Sequence, residues 1–130
     1  LPMTRRSIDV DKPFQKSLPF AQGVVVEGQL LFTSGITARD QNGEVVGVGD
    51  LERQFEQCFA NIADIFEAAG TNFDHLVKVI MYTTDIKQCY EFPDAWRKYF
   101  GARPASTLVE VSALAHPDMM LEIEAIARIP

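Results

Sequence analysis

Residues Leu121–Ile129, LEIEAIARI, alternate between apolar and mostly polar side chains along their whole length. In an extended strand successive side chains point to opposite faces of the sheet. Leu121, Ile123, Ala125, Ala127 and Ile129 therefore share one face, and Glu122, Glu124, Ile126 and Arg128 share the other. The first set asks for a helical layer against it. The second leaves a helix-free face that mixes carboxylates with Ile126. In the preceding strand Thr107, Val109 and Val111 share one side, and Ser106, Leu108 and Glu110 the other. If Val109 and Val111 turn towards the helices, Ser106 and Glu110 join Glu122 and Glu124 on the free face. A face of that mixed character suits an oligomer interface better than bare solvent surface.

The helices are legible from their period. Leu51, Phe55, Cys58, Phe59, Ile62, Ile65, Phe66 and Ala69 recur at helical spacing, with Asp50 as N-cap and Gly70 just past the end. A shorter helix is expected over about Pro93–Phe100, with Pro93 in the first turn, where its missing N–H removes no intrahelical bond. Leu76–Tyr82 reads as a buried strand. Val24–Val26 and Leu30–Thr33, around Glu27-Gly28-Gln29, read as a hairpin. With neither repeat nor linker, residues 1–130 form a single domain with an N-terminal arm over 1–14. Runs of strands with interspersed helices predict an α+β fold, a sheet with two helices on one face.

Composition limits the partners. A net charge of −6 offers no basic stripe for nucleic acid, and Arg5-Arg6 reads as a solvated end. No apolar run approaches the roughly 20 residues of a membrane span, so no membrane partner is expected. No signal-peptide pattern opens the chain, and a cytoplasmic location is the expectation. Cys58 and Cys89 are too few for a disulfide framework, and no spacing suggests a metal site. Cys58, on the apolar helix face, is expected in the core.

Glu122 is the residue with chemical potential, a carboxylate on a strand flanked by apolar neighbours. It suits the activation of a water molecule, a pairing with arginine at an interface, or simple solvation. His116, in the loop before that strand, lies within sequence reach of the same site, whereas His75 is expected at the surface. Tyr90, Phe92, Trp96, Tyr99 and Phe100 mix core with possible pocket lining. Trp96 and Phe100, four apart on one helix, read as core. No nucleophile–His–Asp arrangement, P-loop or dinucleotide fingerprint is present.

Four stretches together carry a resemblance. They are Leu31-Phe32-Thr33-Ser34-Gly35, Asn61-Ile62, Val77-Lys78, and the ending Pro104-Ala105, Val109-Glu110-Val111 and Leu121–Ala127. Over about residues 15–129 the chain resembles the RidA/YjgF family, also labelled L-PSP endoribonuclease-like or RutC. The resemblance implies a chorismate-mutase-like fold and a homotrimer with a central barrel, with small-molecule clefts between subunits. It also implies hydrolysis of reactive enamines or imines to a 2-oxo acid and ammonia, with no metal and no organic cofactor. Ribonuclease activity, reported under the older family name, fits poorly with so acidic a chain.

By the same resemblance Glu122 positions the attacking water, and Ser34 and Gly35 keep the loop beside it. Phe20 stands at a pocket tyrosine, Pro93 at an asparagine common in the deaminases, and Leu108 at a strand position whose backbone lines the cleft. Ser106 stands where the deaminases carry an arginine that clamps the substrate carboxylate bidentately. Arg103, three residues upstream, is a candidate substitute clamp, but only if the chain is irregular at Pro104. A hydrolytic deaminase with altered substrate preference is the expected function. A non-catalytic, metabolite-binding or chaperone-like trimer is the alternative.

Overall fold

The computed structural model describes residues 4–130. Its centre is strand β7 (Leu121–Ile129), the segment with one apolar and one mixed face. Leu121, Ile123, Ala125 and Ala127 are at most 2% exposed, while the intervening residues are half-buried. Strands β3 (Gln29–Phe32) and β4 (Ile36–Thr37) pair antiparallel with one edge of β7. Strand β5 (Leu76–Thr83) pairs antiparallel with the other edge, and β6 (Ala105–Glu110) lies parallel outside it. A parallel neighbour needs a crossover. Helix α2 (Pro93–Tyr99) lies within it.

Helix α1 (Leu51–Ala69) covers the apolar face of β7 as its period requires, burying Leu51, Phe55, Cys58, Phe59, Ile62 and Phe66. The Asp50 carboxylate accepts the Arg53 N–H at 3.0 Å, and Gly70 ends the helix in the left-handed conformation at φ 83°. That satisfies an orphan donor at one end and avoids a Cβ clash at the other. Gln54 is buried on the same face and fully employed. Its amide donates to the Gly47 and Asp118 carbonyls, and its carbonyl accepts from the Met120 N–H. Aromatic rings join the two helices: Phe59 stacks on Tyr99 with centroids 4.4 Å apart, and Phe55 meets Trp96 at 5.5 Å. The α+β sheet with two helices on one face is therefore as expected.

Two local expectations are corrected. Val24–Val26 and Leu30–Thr33 do not form a hairpin. Strand β2 (Gly23–Val26) pairs antiparallel with β1 (Arg5–Ile8) in a separate ladder, and β3 goes to β7. Gly28, at φ 115°, carries the chain from one sheet to the other, with the Arg128 guanidinium lying over it. Among the described residues of the arm, Arg5–Ile8 thus belong to a strand. Arg5, expected in a solvated end, is half-buried and donates to the Ala102 carbonyl at 2.8 Å.

The second correction concerns β6. Its register sets Ser106 beside Val79 and Leu108 beside Met81, and both β5 partners are fully buried on the helix side. Partners in register share a face. Ser106 and Leu108 therefore face the helix side, and Val109, 38% exposed, lies beside Tyr82 on the other. Helix α1 covers the inner strands, so apolar Val109 did not need to turn inward at the sheet's edge. The sheet does not bring Ser106 onto the face of Glu122.

Candidate functional site

The parallel β5–β6 pair leaves Ser106 and Leu108 at the edge of the helix-side face, beyond the cover of α1. There they form part of a cavity of about 420 Å³ together with Phe20 and Pro93. All four had been singled out from the sequence. One further wall comes from Leu18 and Pro19, and another from Cys89, Tyr90, Trp96 and Arg97. Of these six, only Tyr90 and Trp96 belong to the aromatic group that the sequence offers as core or pocket lining, and Trp96 is read there as core; Leu18, Pro19, Cys89 and Arg97 carry no such signal. Trp96, expected in the core, is half-buried at the cavity, and its indole N–H donates to the Cys89 carbonyl at 2.8 Å. Phe100 is the core member of that pair, at 2% exposure.

Arg103 has a different task from the one expected of it. Its guanidinium donates to the Leu18 carbonyl at 2.7 Å and to the Phe20 carbonyl at 3.1 Å, and it pairs with Asp9 at 3.0 Å. The residue adopts φ 51°, an irregularity next to Pro104 of the kind a substitute clamp would need. The guanidinium, however, holds the cavity wall in place and does not line the cavity. The Ala21 N–H to Pro104 carbonyl bond, 3.0 Å, fastens the same segment to the sheet edge.

Glu122, Ser34 and Gly35 form a second group. Thr33 makes a two-way link to β7, its N–H to the Ala125 carbonyl at 2.9 Å and its hydroxyl accepting the Ala125 N–H at 3.0 Å. The same hydroxyl donates to the Ser34 carbonyl at 2.8 Å, which shapes the short connection into β4. That connection passes directly against Glu122: a Cβ on Gly35 would lie 2.8 Å from the carboxylate Oε2. Glu122 is half-buried, opposite Tyr82 on one neighbour and Thr37 on the other. Its charge reaches through the sheet: burial pushes the Cys58 thiol up to about 12, and the Glu122 carboxylate adds to that.

The same face carries Lys78, Ile80, Tyr82, Glu124 and Ile126, with Phe32 nearby and 65% exposed. The Tyr82 hydroxyl donates to Glu124 at 2.7 Å, and Lys78 to the Thr107 hydroxyl at 2.9 Å. The structure therefore brings together Phe20, Pro93, Ser106 and Leu108 in one place and Ser34, Gly35 and Glu122 in another. Glu122 and Ser106 lie on opposite faces of the sheet. His116 turns its Nδ1 onto the Asp118 N–H of its own loop, at 3.0 Å. Among the described residues, no cluster of three or more His, Cys, Asp or Glu side chains is arranged to hold a metal ion, and no helix is long and apolar enough to cross a membrane.

Comparison with known proteins agrees with this architecture. The family described as Endoribonuclease L-PSP matches residues 12–129. A RutC family protein of Pyrococcus abyssi is 34% identical over 127 residues, 96% of this chain and 98% of that protein. The 2-iminobutanoate/2-iminopropanoate deaminase of Capra hircus is 30% identical over 126 residues, 96% of this chain and 90% of its own. Among solved structures, the Rid family protein YyfB of Yersinia pestis has a TM-score of 0.84 at 28% identity, covering 97% of this chain and 99% of that one. With this fold and this extent of match, the chain belongs to the Endoribonuclease L-PSP family, whose members are also called RutC, YjgF and Rid proteins.

Proposed function

We propose that the protein is a hydrolytic deaminase of a reactive enamine or imine metabolite, with Glu122 holding and deprotonating the attacking water. The observation that carries this is the close fit of Gly35 against the half-buried Glu122 carboxylate, which admits no side chain at that position and so keeps the Ser34–Gly35 backbone against the carboxylate. An enamine first tautomerises to its imine. The water oxygen then bonds to the imine carbon while Glu122 takes a proton from it. That proton passes to the nitrogen and gives a carbinolamine; its hydroxyl proton then moves to the amine by way of Glu122 as the C–N bond breaks, and a carbonyl compound and ammonia leave. No redox partner is required. The goat deaminase named above supports the reaction class by likeness.

Glu122 and the Ser106 cavity lie on opposite faces of one sheet, so a cleft containing both needs a second copy of the chain. We propose a homotrimer whose free faces meet in a central barrel, with the ligand bound between subunits. The exposed Phe32 and Val109 and the half-buried Ile80 and Ile126 on that side support this assembly. Sedimentation equilibrium at low micromolar concentration should return three times the chain mass.

A second reading, a non-catalytic metabolite-binding trimer, is favoured by the neutral Ser106 in a cavity otherwise lined mainly by apolar groups. Ammonia release from freshly generated 2-imino acids separates the two. Hydrolysis predicts turnover that falls by about 100-fold or more in Glu122→Ala, as for loss of a general base. Ligand binding without turnover in the wild type would favour the second reading. Retention on a nucleic-acid column at low salt would instead point to the ribonucleolytic activity of the family's name.

A further inference from the structure

The 420 Å³ cavity has the size of a pocket for a drug-sized ligand, and a three-carbon imino acid would leave most of it to water. Its walls are apolar and partly planar: Phe20, Trp96, Leu108 and Pro19 line it, and the indole is fixed by its bond to Cys89. No carboxylate is among the lining residues. The single formal charge is Arg97, whose side chain is 69% exposed. Its partner is Asp94 at 3.0 Å, one helical turn away and 98% exposed. Such exposed pairs contribute little and are readily exchanged. Arg97 is thus a cation at the rim of an otherwise uncharged cavity lining.

We infer that this cavity takes a monocarboxylate bearing an aryl or long alkyl group, the apolar body held between Phe20, Trp96 and Leu108 and the carboxylate held by Arg97. Charge recognition thereby moves from the strand position of Ser106 to helix α2, and the space released at Ser106 receives the ligand's body. A guanidinium engages a carboxylate with parallel N–H donors, which suits Arg97 to exchange Asp94 for the ligand. The inference deepens the proposed reaction by naming its substrate class, and it rests on that reading only in assigning ligand and water to one cleft.

Trp96 is the chain's one tryptophan, so its emission reports occupancy of this cavity. The full chain is titrated with 3-phenylpropanoate, its neutral amide and propanoate, with emission and calorimetry read in parallel. The expected result is a saturable emission change with 3-phenylpropanoate and none with propanoate at equal concentration. The amide should bind about three- to tenfold more weakly, the scale of an exposed charge-assisted contact. Arg97→Ala should bring the acid down to the affinity of the amide, and Arg97→Lys should recover part of the difference. Equal binding of acid and amide by the wild type, or an unchanged affinity in Arg97→Ala, would overturn the inference. So would heat of binding without a Trp96 response, or no binding at all. Glu122→Ala should retain saturable binding of 3-phenylpropanoate. Its loss of turnover tests the reaction alone, so the two claims can fail separately.

Discussion

Gly35 lies against the Glu122 carboxylate so closely that a β-carbon there would stand 2.8 Å from Oε2. The nearest atoms are all from the Glu122 side chain, so the strain of a larger residue would be relieved by moving that carboxylate and not by moving backbone. Gly35→Ala should therefore separate stability from function. The melting temperature should fall by only a few degrees, while ammonia release falls about tenfold or more because the water is no longer aligned. A large loss of stability with unchanged turnover would show that Glu122 position does not matter.

Ser106→Arg should raise activity towards small 2-imino acids. The substituted side chain would enter the cavity of Phe20, Pro93 and Leu108 and supply the bidentate carboxylate contact that Ser106 lacks. A gain of about tenfold in kcat/KM for 2-iminopropanoate is expected, on the scale of one charge-assisted hydrogen bond. Steady-state ammonia release from that substrate is the measurement, and a loss of activity would count against the shared cleft.

Arg103→Ala should loosen the wall of the same cavity. It removes the bonds to the Leu18 and Phe20 carbonyls and a pair with Asp9 whose side chains are about one-third exposed. Discounting the exposed pair, the cost is about 1–3 kcal/mol in urea unfolding. Trp96 emission should shift as the Leu18–Phe20 segment loses its anchor.

Alkaline stability should depend on Cys58. Burial first, and then the Glu122 charge, raise its folded value from 9.0 to about 12, so the thiol stays protonated in the native state. The unfolded chain ionises near the ordinary value and is stabilised there. Stability from this group is therefore fully present below about pH 9 and is lost as the pH rises towards about 12. Tyr82 and Tyr99 titrate upward too, Tyr82 chiefly through its hydrogen bond to Glu124 and Tyr99 chiefly through burial. Comparing wild type with Cys58→Ala across this range isolates the cysteine. The variant should be less stable at neutral pH but lose stability more gradually above pH 9. Below that point a thiol reagent should label Cys58 only after unfolding.

Helix α1 and strand β7 were legible in the sequence because their signals are local. A helical period with Asp50 and Gly70 at its ends, and an alternation over Leu121–Ile129 that only Ile126 interrupts, each state which side chains share a face. The resemblance also singled out Phe20, Pro93, Ser106 and Leu108, which the structure gathers into one cavity. Alternation does not say which face turns inward, however. For β6 that depended on its register with β5, which set Ser106 and Leu108 beside Val79 and Met81 and left Val109 outside. The supposed hairpin failed for a related reason: a turn signal at Gly28 marks a change of direction, while pairing depends on distant partners, β1 for one strand and β7 for the other. Arg103 is held at the cavity wall by carbonyls 85 and 83 residues distant in the chain. Arg97 and Trp96 became pocket residues only when the crossover laid α2 beside the sheet edge. Periodicity is written along the chain, whereas pairing and enclosure are decided by contacts across it.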